Sequence, residues 1–70
     1  METFHLDKHP HVELCDLLKQ LGWIESGAAA KAAIAAGGVS VDGQVETRKC
    51  CKIIAGQRVN FDGQSVNVVP

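Results

Sequence analysis

The sequence of 70 residues has no tyrosine, one tryptophan, two phenylalanines and only three cysteines. Three cysteines cannot close a disulfide framework, so a disulfide-stabilised secreted domain is excluded and a reducing compartment is expected. The shortage of aromatic rings leaves Phe4, Trp23 and Phe61 as the only side chains that could stack on a planar ligand. Recognition by a row of stacking side chains is therefore not expected.

Long apolar runs and a leader segment are also lacking. The longest stretch without a charged residue, 32–41, is mostly alanine and glycine, and it is too short and too weakly apolar to cross a membrane. No cationic segment followed by an apolar one opens the chain, which argues against a secretory leader. Residues 1–70 therefore predict a single small cytoplasmic domain, without room for a large enzyme cleft and a separate cofactor site.

Charges of both signs are present, and their distribution along the chain is uneven. Seven basic residues against eight acidic ones give a formal net charge of −1, which by itself indicates no partner. Residues 1–30 hold two lysines against five carboxylates, whereas residues 31–60 hold five basic residues against two carboxylates. A domain with one basic half can attract an anion in spite of a slightly negative total charge.

The apolar spacing predicts two helices after a short initial strand at 2–6. A first helix is predicted over 11–21, where apolar residues recur at helical spacing. Ser26 is the expected N-cap of a second, alanine-rich helix over 28–36. Trp23 is expected to pack in the corner between the two helices.

Beyond the second helix the pattern is that of strands and tight turns. Asp42-Gly43 and Asp62-Gly63 are both strong signals for two-residue hairpin turns. Strands are predicted at 39–41, from Val45, at 58–61 and at 65–69, whereas 49–55 is irregular. The order of a strand, two helices and then several strands predicts an α+β domain with a small antiparallel β-sheet.

No metal or catalytic site is predicted. His5, His9 and His11 are close in sequence, but no carboxylate pair or Cys-x-x-Cys completes a coordination set, so exposed histidines are expected. Cys50 and Cys51 are adjacent and point to opposite faces of an extended chain. One of them is expected to be buried, and the other to have a pKa lowered by neighbouring basic residues. A Cys–His nucleophile is not supported, because the histidines are distant in sequence.

A cluster of basic residues is the strongest indication of a binding surface. Arg48, Lys49, Lys52 and Arg58 fall within eleven residues, and the only carboxylate close to them in sequence is Glu46. If these side chains face one way, they form a concentrated positive patch. Such a patch is typical of a surface that binds a polyanion.

One longer pattern extends over about two thirds of the chain. It consists of a leucine-rich helix ending in Leu-Gly, a serine that opens a second helix containing Ala-Lys, an isoleucine, Gly-x-Val-x-Val-Asp-Gly, a basic segment and a closing strand. Its positions here are Leu17-Leu18, Leu21-Gly22, Ser26, Ala30-Lys31, Ile34, Gly38 to Gly43, Arg48 to Lys52, and Gly56 to Val59. This combination resembles the αL-motif RNA-binding family, whose namesake is small-subunit ribosomal protein number four, and within it the short free-standing bacterial type.

The resemblance implies two helices that form an L and pack on the sheet, with RNA held along the helix corner and the adjacent strands. The candidate RNA-binding residues are Ser26, Gly27, Lys31, Arg48, Lys49, Lys52 and Arg58. By the resemblance, the first three contact phosphates at the start of the second helix, where free N–H groups favour anions, and the next three extend that surface. The expected protein is a monomeric, non-catalytic module without a cofactor. It would bind structured RNA such as ribosomal or transfer RNA, alone or in a ribosomal or RNA-modifying assembly.

Two other functions stay open from the residues alone. A protein-interaction module would dock through the alanine-rich helix and the apolar corner. A redox-responsive protein would use Cys50 or Cys51. Binding that weakens steeply with salt would distinguish RNA recognition from protein docking. Mass spectrometry of the thiols after mild oxidation would distinguish the redox function.

Overall fold

The computed structural model describes residues 2–70, which form two short helices and seven strands. In chain order the elements are β1 (Glu2–His5), β2 (Val12–Glu13), α1 (Leu14–Gln20), α2 (Gly27–Ala35), β3 (Val39–Val41), β4 (Gln44–Val45), β5 (Lys52–Ile53), β6 (Arg58–Phe61) and β7 (Gln64–Val69). This order confirms the predicted α+β class, with a strand first, two helices next and most of the strands last.

The strands form one sheet of five strands and one of two. The larger sheet has the order β1-β7-β6-β3-β4, and the smaller sheet pairs β2 with β5. Three pairings of the larger sheet are antiparallel, whereas β1 runs parallel to β7, with Phe4 opposite Val68. The expectation of a wholly antiparallel sheet is therefore wrong for β1. No hairpin turn joins β1 to β7, so the intervening helices and strands allow the parallel direction.

Both predicted hairpin turns are confirmed. Asp42 and Gly43 have φ of 52° and 84°, and Asp62 and Gly63 have φ of 51° and 77°. Left-handed backbone at both central residues is the type I′ turn, whose twist matches that of the flanking strands. The two turns join β3 to β4 and β6 to β7, and thereby set the antiparallel part of the sheet.

The first helix begins three residues later than the sequence predicts. Val12 and Glu13 are extended and pair with Ile53 and Lys52 of β5, a strand in the segment that was expected to be irregular. The backbone N–H of Leu14 then donates to the carbonyl oxygen of Cys51 at 2.8 Å. A long-range ladder therefore replaces the predicted first turn of the helix. The helical apolar spacing from Val12 could not indicate this, because the partner lies some forty residues away.

A single apolar core joins the helices to the sheet. Its largest fully buried side chains are Leu14, Leu17, Leu18, Ile34, Val39, Ile53, Val59, Val66 and Val68. Trp23 packs against this core and stacks on Phe61, with ring centroids 6.5 Å apart and an interplanar angle of 22°. Its packing role is therefore confirmed. Neither helix within residues 2–70 has the length and apolar character that a membrane crossing requires.

Candidate nucleic-acid interface

The start of α2 is built as the sequence predicts. Ser26 has extended backbone, and its Oγ accepts a hydrogen bond from the N–H of Ala29 at 3.1 Å. The helix's own bonding begins with the N–H of Ala30, which donates to the carbonyl of Ser26 at 3.0 Å. The N–H groups of Gly27 and Ala28 precede that bond and have no carbonyl partner within the helix. They present partial positive charge at this end of α2.

Lys31 extends this positive end along the helix. It lies four residues after Gly27, so the two positions are neighbours on the helix surface. Its side chain is exposed and forms no ion pair within the described part of the chain. No acidic residue lies in the first turn of α2. Ser26, Gly27 and Lys31 therefore lie together at this end of α2, and Lys31 is the charged side chain among them.

Arg48 differs from the other cations because a carboxylate already holds it. Its Nη2 and Nε donate to the two carboxylate oxygens of Glu46 at 2.9 Å and 3.0 Å, and its backbone N–H donates to the same group at 2.9 Å. These bonds lower the pKa of Glu46 to about 2 and raise the pKa of Arg48 above its ordinary value. Both groups therefore stay charged, and the pair contributes no net positive charge to the surface.

Lys49 and Lys52 lie on the same segment of chain and are exposed. Lys49 is in the turn that precedes β5, and Lys52 is on β5 opposite Glu13. Neither ammonium group forms an ion pair within residues 2–70. These two lysines are therefore the available cations of the predicted basic segment.

Arg58 lies on a different surface from the start of α2. Side chains alternate along β6, so Arg58 points away from the core into which Val59 points. Its Nε donates to Oδ1 of Asn67 at 3.2 Å, and its backbone N–H donates to Oδ1 of Asp42 at 2.9 Å. The predicted site residues thus separate into the start of α2, the 48–52 segment and the outer face of the sheet.

The cysteines are placed partly as expected. Cys15 is buried in α1, as predicted, and Cys51 is half-buried, whereas Cys50 is exposed. Burial and, next, the charge of Glu46 raise the pKa of the Cys51 thiol, although Arg48 acts in the opposite direction. The expectation of one buried thiol in this adjacent pair is met only in part, because Cys51 is half-buried. The carboxylate that pairs with Arg48 also faces the Cys51 sulfur at 3.6 Å. The expected lowering of a thiol pKa concerned the less buried cysteine of the pair and stays a prediction.

A cleft elsewhere on the described surface has the opposite charge. It measures about 570 Å³, and its polar lining is His5, His9, His11, Asp7, Glu13, Asp16 and Gln20. None of the predicted RNA-binding residues lines it. A cleft lined by three carboxylates repels a polyanion, so it is not the nucleic-acid surface.

Comparison with known proteins identifies the family of this chain. The model of the S4 domain family matches residues 4–69. The chain belongs to the S4 domain family. YbcJ of Escherichia coli (strain K12) and YbcJ of Shigella flexneri are each 72% identical to it over 69 residues, which is 99% of this chain and 99% of each relative.

A solved structure shows the same fold in a close S4 domain relative. It is the solution structure of YbcJ from E. coli, which reveals an αL motif involved in RNA binding. It matches with a TM-score of 0.77 and 71% sequence identity, over 100% of this chain and 89% of that chain. The predicted family, and its short bacterial type, are thereby confirmed.

Sequence reasoning missed one group of side chains. The donor atoms of Glu13, Cys15 and Cys50 all lie within 4.8 Å of one another. The sequence associates Cys50 with its neighbour Cys51, and nothing in the spacing relates it to residues more than thirty positions earlier. Only the pairing of β2 with β5 brings them together.

Proposed function

We propose that this protein binds structured RNA, of the ribosomal or transfer type, mainly through phosphate contacts and without catalysing a reaction. The observation that carries the proposal is the start of α2, where Ser26 caps the helix and Lys31 stands exposed one turn later. The family assignment and the RNA-binding αL motif of YbcJ support it.

The start of α2 has the chemistry that a phosphate requires. The N–H groups of Gly27 and Ala28 are hydrogen-bond donors at the positive end of the helix dipole. Gly27 has no atoms within 4 Å of the position that a Cβ would occupy, so a phosphate oxygen can approach the backbone there. The ammonium group of Lys31 adds a full positive charge on the same side of the helix.

The 48–52 segment supplies the second part of the proposed surface. Lys49 and Lys52 are exposed and form no ion pair within the described residues, so they are free to neutralise phosphates. Arg48 contributes less than its charge suggests, because RNA would have to compete with Glu46 for its guanidinium group. Arg58, on the outer face of the sheet, contributes only at long range. Lys31, Lys49 and Lys52 are therefore the principal cations of the proposal.

The rival function, protein docking through the helix corner, has less support. Trp23 and Ile24 are half-buried and pack against the core, so the corner offers little free apolar surface. Among residues 2–70 the exposed large hydrophobic side chains are Val45 and Ile54. Two such side chains are ordinary for a monomer, which is the oligomeric state we propose. The three free thiols fit a reducing compartment such as the cytoplasm.

Titration of a fluorescent, structured RNA at several salt concentrations tests the proposal. Each phosphate contact releases counterions, so log affinity should fall against log salt with a slope of about −2 to −4 for the few cations available. An unstructured RNA of the same length and composition is the control and should bind more weakly. Absence of binding at low salt, or affinity independent of salt, would contradict phosphate recognition.

A further inference from the structure

Three potential metal ligands meet at the junction of the small sheet and α1. Glu13 is the last residue of β2, Cys15 is the second residue of α1, and Cys50 lies in the turn that precedes β5. One carboxylate oxygen and the two sulfur atoms all lie within 4.8 Å of one another. In residues 2–70 this is the one group of three such donors.

The backbone on both sides of the cluster holds these donors in position. Glu13 pairs with Lys52 in the β2–β5 ladder, and the N–H of Leu14 donates to the carbonyl of Cys51 at 2.8 Å. The N–H of Cys51 in turn donates to the carbonyl of Arg48 at 3.2 Å, which closes the turn that carries Cys50. The backbone of each ligand, or of a residue next to it, is therefore held by hydrogen bonds, and a bound ion would have to order little of the backbone.

The spacing of the donors is close to that around a tetrahedral ion. Bond lengths of about 2.3 Å to sulfur and 2.1 Å to oxygen place neighbouring ligand atoms roughly 3.6–3.8 Å apart in tetrahedral geometry. Donors already within 4.8 Å of one another reach that spacing by side-chain adjustments of about an ångström. Two sulfur ligands select a soft or borderline ion and disfavour Mg²⁺ and Ca²⁺, which prefer oxygen.

We propose that Glu13, Cys15 and Cys50 form a binding site for a thiophilic divalent metal ion, with Zn²⁺ as the expected ion and water as its fourth ligand. The exposure of Cys50 leaves the fourth position open to solvent, whereas Cys15 is only 4% exposed and anchors the site in the core. Zn²⁺ displaces one proton from each thiol as the two Zn–S bonds form.

The charges around the site suit the bound state. Two thiolates and one carboxylate with Zn²⁺ leave a net charge of −1 in the cluster. Lys52 is the cross-strand partner of Glu13, and Lys49 adjoins Cys50 in the chain, so the 48–52 segment places two positive charges beside the cluster. The site does not depend on the proposed RNA binding, and metal binding can be measured without RNA.

Titration of the reduced protein with Co²⁺ in the absence of oxygen tests the proposal. Cobalt in a site with two thiolates gives sulfur-to-metal charge-transfer absorption and intense tetrahedral d–d bands, and Zn²⁺ should remove both at one equivalent. Cys50→Ser and Glu13→Gln change residues outside the buried core and should each weaken binding by at least about tenfold. Even residues that only support metal ligands cost roughly 10–100-fold in affinity. Cys51→Ser is the matched control and should leave the spectrum unchanged.

The same experiment can overturn the proposal. It is wrong if the reduced wild-type protein shows no thiolate absorption with Co²⁺, or if Cys51→Ser abolishes that absorption as Cys50→Ser does. A Cys15–Cys50 disulfide is the rival outcome. If intact mass shows this disulfide after mild oxidation, and the reduced protein binds neither Co²⁺ nor Zn²⁺, then the cluster is a redox pair and not a metal site.

Discussion

The guanidinium group of Arg48 is held by the carboxylate of Glu46 through hydrogen bonds of 2.9 Å and 3.0 Å. The backbone N–H of Arg48 donates to the same carboxylate at 2.9 Å. This arrangement joins the half-buried Glu46 to the exposed Arg48 in the loop after β4. It thereby neutralises one cation of the 48–52 segment, whose other charged residues are all basic. It leaves Lys49 and Lys52 as the available cations of the segment.

The ion pair predicts a specific dependence on acid. Hydrogen bonds from Arg48 lower the pKa of Glu46 from 4.5 to about 2. A carboxyl whose pKa is lower in the folded state contributes stability that is present above its unfolded pKa and is lost as the pH falls toward about 2. An NMR titration of the Glu46 side-chain carbon should therefore give a pKa of about 2. In Arg48→Ala this pKa should return toward 4.5, and less stability should be lost over that range. An unchanged pKa in the variant would contradict the ion pair.

Removing the carboxylate should strengthen RNA binding. Glu46→Gln deletes a negative charge and frees the guanidinium group of Arg48 for a phosphate, so affinity should rise and the salt slope should steepen by up to about one. Arg48→Ala in the wild-type background should weaken binding less than Lys49→Ala does. Salt-dependent anisotropy titrations measure all three variants. Equal losses from Arg48→Ala and Lys49→Ala would show that Glu46 does not neutralise Arg48 toward RNA.

Lys31 should contribute one phosphate contact. In Lys31→Ala the magnitude of the salt slope should fall by about one, and affinity should fall similarly for unrelated structured RNAs. Lys8→Ala removes the same charge from the acidic half of the chain and should change neither quantity much. Loss of binding to one RNA alone would indicate base-specific recognition. An unaltered salt slope would show that Lys31 does not contact a phosphate of the bound RNA.

A cation added at the start of α2 should strengthen binding. Gly27 is the first residue of the helix, its φ is not left-handed, and a Cβ there would have nothing within 4 Å. Gly27→Lys should therefore fold normally and steepen the salt slope by about one. Ala35→Lys adds the same charge at the exposed opposite end of α2 and is the matched control. Equal gains from both variants would reveal a net-charge effect and no local site.

The cap at Ser26 should be measurable as stability. Ser26→Ala removes the acceptor of the Ala29 N–H and should lower the free energy of unfolding by about 1 kcal/mol. For a domain of this size the melting temperature should fall by about 4–8 °C. Ser26→Asp keeps a cap but adds negative charge at the proposed phosphate site, so it should preserve stability and still weaken RNA binding. Equal melting temperatures for Ser26→Ala and the wild type would contradict the cap.

Features decided by neighbouring residues were predictable from the sequence alone. Asp-Gly pairs favour left-handed backbone at both turn positions, and a serine before an alanine run satisfies a free N–H locally, so both hairpins and the start of α2 follow from short-range chemistry. The spacing of Leu17, Ser26, Lys31 and Ile34 with the later Val-x-Val-Asp-Gly also identified the family, since that pattern lies within the chain itself.

Features that depend on distant partners were decided only by the tertiary structure. The helical spacing of apolar residues begins at Val12, but Val12 and Glu13 pair with β5, so α1 begins only at Leu14. The parallel pairing of β1 with β7 and the proximity of Cys15 to Cys50 likewise depend on residues that are distant in sequence. The local sequence determines which conformations each segment favours. Strand pairing and side-chain contacts between residues 35 or more positions apart are fixed only when all the segments bury their apolar faces in one core.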